Sequence, residues 1–87
     1  MGLNKYYYVY LIVSKKNKKI KSYVGYTNNI SKRIKLHNTG KGAKSTRGRN
    51  WSVIYKKKFL TKSKAMKFEY LLKKNKKMRK IIKGKYG

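Results

Sequence analysis

Apolar and polar positions fall into distinct blocks along this chain. From Tyr6 to Ser14 the residues are mostly Tyr, Val, Leu and Ile, the composition of a packed strand. Lys15 to Lys19 is polar, with Asn17 at its centre, and predicts a turn. Ile20 to Tyr26 returns to strand-forming residues, so the two blocks predict a hairpin. Thr27, Asn28 and Asn29 offer capping side chains ahead of a helix over Ile30 to Asn38. Gly40 and Gly42 then open a basic loop running to Asn50, expected to be flexible. Trp51 to Phe59 predicts a third strand. A second helix starts near Thr61 or Ser63 and reaches about Lys74, with Ala65, Phe68, Glu69 and Leu72 spaced i, i+3, i+4, i+7 along one stripe. Asn75 can cap a short last helix through Ile82, with Gly84 as its stop. The order β-β-α-β-α-α predicts an α+β fold, a small three-stranded antiparallel sheet flanked by helices, as a single domain over residues 1–87.

A finer expectation concerns the hairpin. A turn centred between Lys16 and Asn17 pairs residues whose numbers sum to 33, which sets Tyr10 opposite Tyr23 and Tyr8 opposite Gly25. Period two then divides the first strand. Tyr6, Tyr8, Tyr10 and Ile12 share one face, and Tyr7, Val9, Leu11 and Val13 share the other. The first face would display phenols around a bare glycine; the second reads as plain core.

Charge changes the picture from fold to partner. Lys and Arg number 27 against one acidic residue, a formal net charge of +26. Such a surface attracts polyanions, and DNA or RNA is the expected partner, with DNA preferred. Membrane-surface segments concentrate their basic residues in one amphipathic helix; here they are spread over every block, so no membrane association is expected. No apolar run is long enough to span a bilayer and no signal-peptide pattern opens the chain, which predicts a cytoplasmic protein. The absence of Cys excludes zinc ribbons and disulfide scaffolds. A single carboxylate excludes two-metal nucleases and paired-carboxylate glycosidases. Repulsion among the cations makes a thin core thinner in effect, so marginal stability is expected without an anionic partner.

Three groups of residues carry possible chemistry. Glu69 is the one carboxylate, and it falls on the apolar stripe of its helix. A charge there calls for a partner: one of the many cations, or a hard divalent metal bound through oxygen. Arg33 and His37 stand four apart on the first helix and share a face. An Arg can clamp a phosphate with paired hydrogen bonds, and a His can move a proton; both are also ordinary on a basic helix. Tyr10 and Tyr23 are either packing or two phenols able to hold a water or phosphate oxygen. In the glycine loop, Lys41, Lys44, Arg47 and Arg49 read as phosphate contacts, and Trp51 reads as core.

Tyr8-Val9-Tyr10, Tyr23-Val24-Gly25, Arg33, His37 and Glu69 together resemble, in order and spacing, the signature of the GIY-YIG nucleases. Gly25-Tyr26-Thr27, His37-Asn38, Gly42-Ala43 with Thr46, Trp51, and Ala65 with Phe68-Glu69 extend the resemblance over about residues 6 to 74. It is nearest to the catalytic domain of SLX-type structure-specific endonucleases and to small single-domain bacterial relatives. The resemblance implies a role for each residue. Tyr23 would be the general base or orient the attacking water, and Tyr10 would support it. Arg33 would stabilise the transition-state charge, and His37 would assist the proton network. Glu69 would hold one Mg2+ or Mn2+ ion. Tyr8 stands where the name motif has Gly, and Val24 where it has Ile. Tyr26 takes the place of a lysine found in excision-repair relatives. Without Cys the zinc-binding domain of the SLX-type enzymes is excluded.

The resulting expectation is a metal-dependent endonuclease acting on DNA phosphodiester bonds, selective for shape or strandedness because no base-reading helix is evident. The alternative is a non-catalytic basic nucleic-acid-binding protein. A domain this small holds its substrate weakly alone, which argues for an oligomer or a partner protein that the sequence does not identify. The enzyme reading requires Glu69 not to be turned outward, or locked to a guanidinium far from both phenols.

Overall fold

The computed structural model describes residues 6–16 and 18–86. Two long strands, β1 (Tyr7–Lys16) and β2 (Lys19–Thr27), form the hairpin. Helix α1 (Ile30–Asn38) follows, then a one-turn 3-10 helix at Lys44–Thr46, strand β3 (Ser52–Phe59), and helices α2 (Lys62–Lys74) and α3 (Lys76–Tyr86). The sheet is antiparallel throughout, in the order β2-β1-β3. The architecture is therefore the expected α+β one, and β1 is its central strand.

Local side-chain hydrogen bonds set the helix ends. Asn29 caps α1 by accepting from the Lys32 N–H at 3.0 Å, and Thr61 caps α2 by accepting from that of Lys64 at 3.2 Å. Asn75 closes α2 and opens α3, its side chain accepting from the Met78 N–H at 2.9 Å. Arg79 folds back from α3 to donate to the Leu72 carbonyl at 2.8 Å and also to that of Lys73. It thereby occupies carbonyls that the end of α2 leaves free. The last helix differs from expectation: it continues through Gly84 to Tyr86 instead of stopping there. Gly84 does not take the left-handed conformation by which a glycine ends a helix, unlike Gly40 and Gly48, so the helix runs on through it.

The hairpin register also differs. Tyr10 faces Gly25, Tyr8 faces Thr27 and Tyr23 faces Ile12, so opposed numbers sum to 35 and not 33. The loop between the paired Lys16 and Lys19 is only two residues long, and Lys18 lies at φ 65°, the left-handed conformation that tight hairpin loops use. Asn17, the centre of the expected turn, lies outside the described residues. A slip of two keeps every side chain on its expected face. The face assignment therefore survives although the partners change.

Both faces of β1 are buried. On one, Val9 and Leu11 pack with Val24, Ala65 and Leu72 beneath α2. On the other, Tyr10 and Ile12 pack with Trp51, flanked by Tyr23, Ile30, Ile34 and Val53. The expectation of openly displayed phenols on this second face fails for Tyr10, which is only 2% exposed. A bulge between Leu11 and Ile12 shifts β3, so that Lys56 pairs with Tyr10 and Lys58 with Tyr8. Directly paired residues share a face, so both lysines lie on the Tyr10 side of the sheet.

Candidate active site

Four of the five singled-out residues meet on the α1 side of the sheet. Tyr10 comes from β1, Tyr23 from β2, and Arg33 and His37 from α1. The Tyr10 hydroxyl lies 2.9 Å from His37 Nε2. Ring centroids are 6.4 Å apart for Tyr10 and Tyr23, 5.8 Å for Tyr10 and His37, and 5.0 Å for Tyr23 and His37. Gly25 is needed at this point: a Cβ there would stand 2.6 Å from Tyr10 Cζ. The glycine opposite Tyr10 lets the phenol lie across the sheet and reach α1.

His37 is fully enclosed. Its Nδ1 lies 2.9 Å from Thr46 Oγ1, and the Thr46 hydroxyl donates to the Ala43 carbonyl at 2.8 Å. Gly42 passes so close that a Cβ would fall 2.5 Å from Nδ1 and 3.0 Å from the His37 Cα. The Trp51 indole donates to the Thr46 carbonyl at 2.8 Å, while Asn38 both donates to and accepts from the Trp51 backbone. The Gly40 to Asn50 segment, expected to be a flexible loop, is thus docked at Gly42, Thr46 and Arg49. Arg49 donates to the Ser14 carbonyl at 3.2 Å and to that of Lys19 at 3.5 Å. It ties the loop to the hairpin, in contrast to Lys41, Lys44 and Arg47, which are exposed.

Arg33 lies one turn before His37. Its Nε is buried and has no partner among the described residues. The Tyr10 phenol beside it raises the Arg33 pKa above its already high ordinary value. Burial raises the Tyr10 pKa, a rise that the nearby Arg33 guanidinium offsets in part and that Tyr23 and Glu69 reinforce. Burial, followed by the charge of Arg33, lowers the His37 pKa. The pair is therefore a neutral phenol against a neutral imidazole. Arg33 also opens onto a cavity of about 430 Å³ lined by Tyr7, Tyr26, Thr27, Asn28 and Lys62. A second cavity, of about 280 Å³, is lined by Tyr8, Asn28, Asn29, Ile30, Ser31 and Lys56.

Glu69 stands on α2, with its side chain 18% exposed, and its Oε2 is 3.5 Å from the half-exposed Lys73 ammonium. That is an i, i+4 ion pair of the weak, solvent-screened kind. It is neither turned fully outward nor held by a guanidinium, and its charge reaches Tyr10. The donor set bears on a metal. The chain has one carboxylate, one imidazole and no thiol, and both nitrogens of that imidazole are engaged in a closed site. Glu69 is the one side-chain carboxylate that could contribute to an ion, and magnesium accepts one carboxylate when waters and substrate phosphates complete its shell. Among the described residues there is no cluster of three or more His, Cys, Asp or Glu. The residues fit a single ion of that kind.

Sequence reasoning had no role for Asn38, Thr46 or Gly42 in this arrangement, nor for Lys56, Lys58 and Lys62. The first three stand in the family signature without a role, and their partners, Trp51 for Asn38 and His37 for Thr46 and Gly42, lie no more than 13 positions away. The lysines were invisible among so many, although knowledge of the β3 register would have singled out Lys56 and Lys58.

Comparison with known proteins follows the same residues. The family model of the GIY-YIG catalytic domain matches residues 6–82. A UPF0213 protein of Staphylococcus haemolyticus is 46% identical over 68 residues, covering 77% of this chain and 79% of that one. A UPF0213 protein of Oceanobacillus iheyensis is 58% identical over 52 residues, 59% of this chain and 60% of its own length. The chain thus spans less than two thirds of the latter relative. The solution NMR structure of a UPF0213 protein from Bacillus halodurans, 39% identical, aligns with a TM-score of 0.47 over 86% of this chain and 78% of its own. Among the described residues, no helix is long and apolar enough to cross a membrane.

Proposed function

The chain belongs to the GIY-YIG family, and within it to the small bacterial UPF0213 proteins, and on that premise we propose that it is a metal-dependent endonuclease hydrolysing DNA phosphodiester bonds. The observation that carries the reading is the convergence of Tyr10, Tyr23, His37 and an Arg33 whose buried Nε lacks a partner. Arg49 Nε is buried and unpartnered among the described residues too, but Arg49 donates through its Nη2 to the Ser14 and Lys19 carbonyls. Arg33 instead lines an open cavity, where an unpaired donor is costly until an acceptor arrives. A scissile phosphate supplies the acceptor.

In hydrolysis, a water oxygen attacks phosphorus, negative charge builds on the non-bridging oxygens, and the bond to the leaving oxygen breaks. Arg33 is positioned to stabilise that charge by donating to those oxygens. Tyr10 is poorly suited to accept a proton, since burial keeps its own in place. Tyr23, half-buried on the neighbouring strand, is the phenol left to orient or deprotonate the water. His37 holds Tyr10 in position. Glu69 would hold a single Mg2+ or Mn2+ ion, which when bound supplies Lewis acidity at the phosphate and stabilises the leaving oxygen.

Binding follows from charge. Exposed Lys41, Lys44 and Arg47, with Lys62 beside Arg33 and Lys56 on the Tyr10 face, would neutralise flanking phosphates and make affinity fall steeply with salt. Contacts of this class read backbone shape and strandedness, not bases.

The test incubates the protein with flapped, branched and single-stranded DNA, with magnesium or with EDTA. Cleavage should require the metal, and Glu69→Ala should bind DNA as tightly as the unaltered protein and cut it at least about a hundredfold more slowly. Equal cutting by Glu69→Ala would remove Glu69 from the site. Retarded migration with no product under any condition would favour a non-catalytic binding protein.

A further inference from the structure

We infer that Thr46 is a positioning residue for this site: its hydroxyl fixes the tautomer of His37 and thereby keeps the Tyr10 phenol as a donor to Nε2. The consequence for cleavage rests on the nuclease reading, whereas the tautomer itself does not.

The protons along one chain of hydrogen bonds can be counted. A threonine hydroxyl has one proton to give. At 2.8 Å from the Ala43 carbonyl, Thr46 Oγ1 uses it there. Two bare oxygens at that separation would repel, so the proton must lie between them. Toward His37, 2.9 Å away, the hydroxyl can then only accept, and Nδ1 must carry the hydrogen. A neutral imidazole with hydrogen on Nδ1 has a bare Nε2. Nε2 accepts from Tyr10, whose hydroxyl is 2.9 Å away. The lone pairs of the Tyr10 oxygen are left for the Arg33 side. In the other tautomer Nε2 would donate to Tyr10, the phenol proton would turn toward a guanidinium that is already positive, and Thr46 would abandon Ala43.

Thr46 is itself well fixed. It is fully buried, its carbonyl accepts from the Trp51 indole at 2.8 Å, and its N–H donates to Ala43 at 3.0 Å. Gly42 seals the ring edge where a water would otherwise replace it. A histidine whose far nitrogen is held by such a partner keeps one tautomer and one orientation.

The chain contains a single His, so its imidazole nitrogens give one unambiguous set of signals in long-range proton–nitrogen NMR. The wild type and Thr46→Ser should show hydrogen on Nδ1, and Thr46→Val should move it to Nε2. Tyr10→Phe, which removes the partner of Nε2 and leaves Thr46, should keep it on Nδ1. With DNA, Thr46→Val should lower kcat on the order of tenfold while leaving binding unchanged, and Thr46→Ser should restore it. Hydrogen on Nε2 in the wild type, a switch in Tyr10→Phe, or no switch in a folded Thr46→Val would each overturn the inference. If Thr46→Val does not fold, the wild type and Tyr10→Phe decide. A wild type that cuts no DNA would instead defeat the nuclease reading, and the imidazole signals would still report on Thr46.

Discussion

On the α2 side of β1, Val9 and Leu11 pack against Val24, Ala65 and Leu72; on the α1 side, Tyr10 and Ile12 pack against Trp51, with His37 and Thr46 enclosed beside them. Exposure does not distinguish the two sides, since each contains residues with no accessible surface. What differs is how burial is made tolerable. The buried core of the first side is aliphatic, is flanked by Tyr7, Tyr26, Phe59 and Phe68, and fills space. The second encloses phenol, imidazole, hydroxyl and indole groups, and every one of those named is hydrogen-bonded to another element or loop. Volume is forgiving of small shifts; a hydrogen-bonded chain is not. A single strand therefore supplies stability with its odd-numbered residues and chemical positioning with Tyr10.

The sharpest way to break this contrast is to truncate once on each side. Arg33→Ala should reduce kcat about a hundredfold to a thousandfold, the scale of losing one transition-state donor, with little change in the urea midpoint. Leu72→Ala should do the opposite. It should lose about 2–5 kcal/mol of stability while the folded fraction cuts at the normal rate. If Arg33→Ala destabilises as much as Leu72→Ala, the arginine is a structural residue and the distinction is void.

A smaller effect should come from acid. The lowered His37 pKa means that the unfolded chain binds a proton more readily than the folded one below about 6.5, its ordinary value. The associated stability is complete above that value and is lost as pH falls through the lowered folded pKa. Urea melts on both sides of pH 6.5 should show the loss, and His37→Gln should abolish most of it. The chain has no Asp and a single Glu, so little else contributes a pH dependence in acid. A pH dependence unchanged in His37→Gln would count against a neutral, enclosed imidazole.

The smallest expected effect concerns the ion pair on α2. Lys73→Met should change stability by no more than about 0.5 kcal/mol, because the pair is 3.5 Å long and Lys73 is half exposed. A thermal melt checks this. A large loss would mean that Glu69 depends on Lys73, which would weaken its assignment to a metal.

Much of the molecule was legible in the chain. Helix α1 is expected at about its observed limits, with its N-cap Asn29 among three candidates, and the faces of β1 follow from alternation alone. Tyr10, Tyr23, Arg33 and His37 stand out in the sequence, although their proximity does not. These features are local: a cap reaches three residues, and a period of two needs no partner. The register, the docking of the glycine loop and the hydrogen-bonded roles of Thr46 and Asn38 were not legible. Tyr10 and His37 are 27 positions apart, and Arg49 and Ser14 are 35 apart. Contacts of that range depend on loop closure and on which strand occupies the centre of the sheet. Composition and periodicity determined what kinds of surface this chain makes. Only three-dimensional packing decided which surfaces meet, because a hydrogen bond across the fold is specified by distance and direction that no local pattern encodes.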